Sequence, residues 1–171
     1  MIQKMIETIS DEGAEFQQVK TIDLSKIKPM AALPGDPRVS APIEELAGTQ
    51  VDAAYIGSCT GGKLEDLIAA AKVLDGKKVK IPTYIQASSL SILGQARELG
   101  LLDIFKKSGV NLIEPGCGDC CNLGFGIVDD GGTVASDTNR NFPRRMGNNN
   151  VYLLNPRYTA LSAVHGHLAT N

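Results

Sequence analysis

A chain of 171 residues with 43% hydrophobic residues is long enough for one domain with a buried core. A net charge of −2, 5% aromatic residues and no Trp argue against nucleic-acid binding. No stretch approaches the roughly 20 apolar residues of a membrane span, and Met1-Ile2-Gln3-Lys4-Met5-Ile6-Glu7 lacks the apolar run of a signal peptide, so a cytoplasmic location is expected.

The first 20 residues are polar and mixed, and residues 15–24 alternate weakly, which predicts a strand. Pro29, Pro34, Pro37 and Pro42 then mark a long irregular connection. Residues 1–50 are therefore expected to be an irregular extension, and 51–171 the α/β core of a single domain over 1–171. Asp52-Ala53-Ala54-Tyr55-Ile56-Gly57 predicts a buried strand. Leu64, Leu67, Ile68, Ala71 and Leu74 keep the spacing of one helical face, with Glu65 and Asp66 in the first turn and Gly76 as the stop. Cys59 thus falls between a strand and a helix N-terminus, where backbone N–H groups point at a ligand.

Residues 79–85 predict a second strand, with Pro82 marking an edge or an irregularity. Ser88 or Ser89 caps a helix that Gly100 stops, and a short helix covers 102–107. Residues 110–113 form a third predicted strand, which delivers Pro115-Gly116-Cys117. Asp129-Asp130-Gly131-Gly132 reads as a turn, 133–136 and 151–154 as strands, and 159–167, after Pro156, as a closing helix. This alternation predicts a three-layer α/β domain, its mostly parallel sheet flanked by helices. Both cysteine loops fall at carboxyl ends of strands, where such sheets gather ligands.

Four cysteines in a chain of this kind favour metal or redox chemistry over a disulfide framework. Cys59 and the pair Cys117 and Cys120 supply three thiolates. Three thiolates can hold an iron–sulfur cube with one iron left open as a Lewis acid. The residues alone leave two other readings: a zinc site, and redox or structural thiols. Zinc wants four ligands, while His165 and His167 lie far away at the C-terminus and Cys121 directly follows Cys120.

Gly57-Ser58-Cys59-Thr60, then Pro115-Gly116-Cys117-x-x-Cys120, then Ala135-Ser136-x-x-Asn139-Arg140-Asn141-Phe142-x-x-Arg145 occur in that order. The set resembles the aconitase superfamily, and within it the C-terminal third of large subunits of the 3-isopropylmalate dehydratase and homoaconitase type. The upstream Ile22-Asp23-Leu24-Ser25 and Ala32-Leu33-Pro34 and the late Ala163-Val164-His165-Gly166 share the likeness. The resemblance implies a 4Fe–4S cluster on Cys59, Cys117 and Cys120. It implies a hydro-lyase that dehydrates or isomerises a 2-hydroxy di- or tricarboxylic acid. Arg140 and Arg145 are expected to clamp substrate carboxylates, as guanidinium groups do bidentately. Asn139, Thr60 and Gly61 are expected to form the cluster environment. The alternative is a non-catalytic cluster-binding module with a regulatory or structural role.

Three departures from the family pattern stand out. Gly61 replaces an Asn, Arg144 replaces a Gly before the second Arg, and Cys121 is an extra thiol, read as a packing residue. The family's acid–base apparatus comes from other domains, which this chain is too short to contain. His165 and His167 read as structural residues, and no convincing catalytic base is present, so partner chains carrying the missing domains are expected.

Overall fold

The computed structural model describes residues 10–121 and 131–171. Residues 10–29 form no strand, which corrects the expectation for 15–24. Phe16, Val19, Ile22 and Leu24 are all exposed, so the weak alternation has no surface to bury against. Asp23 Oδ1 instead accepts the Ser25 N–H at 3.0 Å and turns the chain into a short 3-10 helix, Leu24–Lys26.

The proline-rich stretch expected to be irregular contains two strands. β1 (Met30–Ala32) and β2 (Ser40–Pro42) pair antiparallel, with Ala31 opposite Ala41. Between them the chain turns through Pro34 and Gly35, and the Asp36 carboxylate accepts the Arg38 N–H at 2.9 Å and its guanidinium at 2.7 Å. Pro42 sits at the end of an edge strand, where its missing N–H costs no ladder bond. A helical turn, α1 (Ile43–Leu46), follows and buries Ile43.

The remaining elements are β3 (Ala53–Gly57), the single turn α2 (Ser58–Gly61), α3 (Leu64–Leu74), β4 (Thr83–Gln86), α4 (Leu90–Glu98), α5 (Leu101–Ser108), β5 (Asn111–Ile113), β6 (Thr133–Ser136), β7 (Arg145–Asn148), β8 (Asn150–Leu153) and α6 (Pro156–His165). The sheet order is β2-β1-β8-β6-β3-β4-β5. The strands from β8 to β5 run parallel, and β1 joins β8 antiparallel. The expected α/β fold, a mostly parallel sheet with flanking helices, is the one that forms. β4 is shorter than predicted and lies inside the sheet rather than at its edge. Pro82 precedes it and offers only its carbonyl, which accepts the Ala54 N–H at 3.0 Å. Of the turn expected at 129–132, Asp129 and Asp130 lie outside the described residues.

β3 reads as an unbroken apolar run because it is covered on both faces, and all five residues are buried. Ile56 and Ile85 face one side, where they pack with Leu67, Leu74, Phe105 and Leu161 of the helices. Ala53 and Tyr55 face the other side, with Val134, Val151, Met146 and Cys120. Side chains fix the helix starts. Ser89 Oγ accepts the Ile92 N–H at 3.2 Å to open α4, and Asn155 Oδ1 accepts the Tyr158 N–H at 3.2 Å to open α6. From β3 the chain passes to β4 and β5 on one side, and only later to β6 and β8 on the other. That reversal places a crevice beyond the carboxyl ends of β3 and β6, the usual ligand position in such sheets.

Candidate functional site

Cys59 rides on α2, directly beyond β3. To enter this turn the backbone takes φ 131 at Gly57 and φ 66 at Ser58. A Cβ on Gly57 would stand 2.0 Å from the Gln86 carbonyl oxygen, so only glycine allows the chain to pass over the end of β4. Ser58 in the left-handed region costs about 1 kcal/mol, a strain of the kind found at functional elbows. The turn buries Ser58 and leaves Cys59 exposed.

The second cysteine loop is tied to the first by Gln86. This buried side chain accepts the Tyr55 O–H and donates from Nε2 to the Glu114 carbonyl at 2.7 Å. Burial, with Cys120 and Asp119 adding to it, pushes the Tyr55 phenol above its ordinary range, so it stays an O–H donor. Beyond Glu114, Cys117 is exposed, and a 3-10 turn over Gly118–Cys121 buries Cys120 and half-buries Cys121. The Cys121 thiol lies 3.5 Å from the Gly118 carbonyl oxygen. The Cys117 thiol is pushed up, first by Cys121 and then by burial, with Cys59 and Cys120 adding to the effect. Cys117 therefore senses the other three sulfurs as like charges, a repulsion that a cationic iron–sulfur core would offset.

The third loop leaves β6. Asp137 is buried beside Gly61, while Asn139 and Arg140 are exposed. Asn141 is buried and donates from Nδ2 to the Leu33 carbonyl at 2.6 Å and the Val151 carbonyl at 2.8 Å. Arg145 opens β7, and its Nη2 lies 3.9 Å from the Cys120 sulfur. Of the two expected arginines, the structure brings Arg145 to the cysteines and leaves Arg140 on the exposed loop. Of the departures from the family pattern, Gly61 gains a local explanation and Arg144 gains none. Arg144 holds φ 68, the backbone conformation a glycine would favour. At Gly61 a Cβ would stand 2.5 Å from Asp137 Cγ and 2.7 Å from its carbonyl oxygen, which leaves no room for an asparagine. Sequence reasoning missed Tyr55, Gln86, Asp137 and the buried role of Asn141. The available signal was a polar residue at the carboxyl end of an apolar strand, as at Gln86 and Asp137.

Among the described residues, five buried polar atoms at these loops have no partner: Ser58 Oγ, Thr60 Oγ1, Asp137 Oδ2, Asn141 Oδ1 and Arg145 Nε. Orphans of this kind are rare in a folded protein unless another group satisfies them. Among the described residues, no three His, Cys, Asp or Glu side chains are arranged around a single metal ion. An iron–sulfur cluster spreads its ligands over several irons, so its cysteines stand farther apart than those of one tetrahedral ion. An all-sulfur donor set flanked by orphaned polar atoms fits such a cluster. The histidines do not join it. Gly166, between them, accepts the Val51 N–H at 3.2 Å, and His167 bridges to Gln50, at the opposite end of β3 from Cys59.

The aconitase family model (aconitate hydratase) matches residues 44–166. The chain is 40% identical over 151 residues to a 3-isopropylmalate dehydratase large subunit of Thermococcus kodakarensis, covering 87% of this chain and 40% of that one. It is 42% identical over 165 residues to the large subunit of Clostridium kluyveri, covering 94% of this chain and 39% of that one. A crystal structure of Thermococcus kodakaraensis aconitase X in its holo form aligns at TM-score 0.40 and 19% identity, over 74% of this chain and 28% of that one. No helix among the described residues is long and apolar enough to cross a membrane. The chain spans about two fifths of the length of the curated relatives it matches.

Proposed function

Because this chain belongs to the aconitase family, we propose that it is the cluster-bearing part of a hydro-lyase acting on a 2-hydroxy di- or tricarboxylic acid. Cys59, Cys117 and Cys120 hold a 4Fe–4S cluster in this reading, which supplies a Lewis-acidic iron for a substrate hydroxyl and carboxylate. Arg145 and Arg140 bind substrate carboxylates, and Asn139 and Thr60 hydrogen-bond around the cluster. One observation carries the reading: the Arg145 guanidinium lies 3.9 Å from the Cys120 sulfur, on the turn that also carries Cys121 and directly follows Cys117. A carboxylate clamp and an all-sulfur donor set thus share one crevice. The base that takes the proton alpha to the carboxylate comes from outside these 171 residues, from a part of the kind that the longer relatives contain.

Anaerobic reconstitution with ferrous iron and sulfide tests this. The wild-type chain should take up iron and sulfide and develop charge-transfer absorbance. Cys59→Ser should abolish uptake and Cys121→Ser should preserve it. No absorbance in the wild type refutes the cluster, and equal loss in both variants refutes the ligand assignment. The loaded chain alone should not dehydrate a 2-hydroxy diacid at an enzyme-like rate; turnover by it would place the base within this chain.

A further inference from the structure

We propose that Asp137 is a positioning residue of this site: a strut between the diverging ends of β3 and β6 that fixes the Cys59 turn and keeps one carboxyl oxygen for the group bound in the crevice. Only the last clause rests on the cluster reading above.

The two strands run parallel as far as Tyr55 and Ser136, and the Asp137 N–H extends the ladder to the Tyr55 carbonyl at 3.3 Å. β6 ends at Ser136, whose own carbonyl takes the Leu154 N–H at 2.7 Å in the ladder to β8. The following donor on β3, the Gly57 N–H, would be left without a main-chain partner. Asp137 meets it with a side-chain oxygen, Oδ1, at 2.6 Å. The same carboxyl packs on Gly61, where a Cβ would come within 2.5 Å of Cγ. One side chain thereby touches the backbone on both sides of Cys59, at Gly57 and at Gly61. Asp137 is only 9% exposed, and its Oδ2 is buried with no partner among the described residues. Ser58 Oγ and Thr60 Oγ1, in the same turn, are orphaned too. Three unsatisfied atoms around one cysteine point to a group that completes them.

The strut is tested in the cluster-free, reduced chain by amide hydrogen exchange at Gly57. Asp137→Ala should raise that exchange about tenfold or more, the weight of one hydrogen bond, and Asp137→Asn, which keeps the acceptor and the volume, should stay within about threefold of wild type. Circular dichroism reports folding, and Asp137→Ser, too short to reach Gly57, gives the same reading should the alanine variant not fold. Unchanged exchange in the shortened variants overturns the strut. The second oxygen is tested in the cluster-loaded chain, reduced by one electron with dithionite to its paramagnetic state, by electron paramagnetic resonance. Asp137→Asn should load to the wild-type level with a shifted spectrum, and a superimposable spectrum overturns that part. A wild-type chain that takes up no cluster refutes the cluster reading and, with it, the role of the second oxygen, while Gly57 exchange still decides the strut.

Discussion

Asn141→Ala isolates one side chain that joins the arginine loop to the sheet. The substitution removes two hydrogen bonds, to the Leu33 carbonyl at 2.6 Å and to the Val151 carbonyl at 2.8 Å. At about 1 kcal/mol net for each bond, with a further contribution from carbonyls left unpaired, the loss is about 2–3 kcal/mol. Relief of the orphaned Asn141 Oδ1 offsets a small part of it. A protein of this size loses about 2–4 °C in Tm per kcal/mol, so the melt should fall by about 4–12 °C. Asn141→Asp should be worse, because it sets an oxygen against two carbonyl oxygens. The measurement is reversible thermal unfolding of the reduced, cluster-free chain by circular dichroism. Arg140→Ala on the same loop is the control: Arg140 is exposed, and its variant should stay within about 0.5 kcal/mol of wild type. An Asn141→Ala variant that also stays within about 0.5 kcal/mol would refute the view that this side chain bolts the loop to β1 and β8.

Arg144→Gly should raise stability slightly. It relieves about 1–2 kcal/mol of left-handed strain and loses about 0.5–1 kcal/mol to the freer unfolded chain, so a melt that falls would contradict it. Gln86→Leu should cost about 2–4 kcal/mol in denaturant titration, since it leaves the Tyr55 O–H and the Glu114 carbonyl unpaired, and a neutral result would dissolve the link between the two cysteine loops. Burial holds the Asp137 carboxyl well above 3.8, so the folded chain binds that proton more tightly than the unfolded one. Its contribution is therefore full below the ordinary carboxylate range and is lost as pH rises through the raised value. Asp137→Asn should remove that fall, and denaturation midpoints that run parallel with pH in the two proteins would count against it.

Elements with one strong physical signature were legible in the sequence. β3 is buried on both faces and reads as an apolar run, and α3 carries an apolar stripe on one face. The three thiols could be placed because loops at the carboxyl ends of parallel strands share one end of the sheet. β1 and β2 escaped notice because three residues are too few to show a period and prolines surround them. The strand expected over 15–24 failed because alternation describes a residue's preference for a surface, and no surface lies beside Phe16 or Ile22. Asp137 and Gln86 were invisible for a different reason. Each acts on backbone distant in the chain, Asp137 on Gly57 and Gln86 on Glu114, and no local pattern encodes such a partner.

The bond from Asp137 to Gly57 spans 80 residues, and the β3–β6 pair it completes is the seam between the two halves of the sheet. During synthesis, β3, β4 and β5 leave the ribosome before β6, and so do all four cysteines. The strut and Arg145 follow only after the chain has grown past β6. Non-local parallel pairing is slow to form, because closing a long loop comes before any contact rewards it. Thiols that gather early thus wait for the half of the site that braces and neutralises them. The order of folding therefore sets a window in which the cysteines are made but unguarded, and on the proposed cluster reading insertion of the cofactor competes with oxidation in that window.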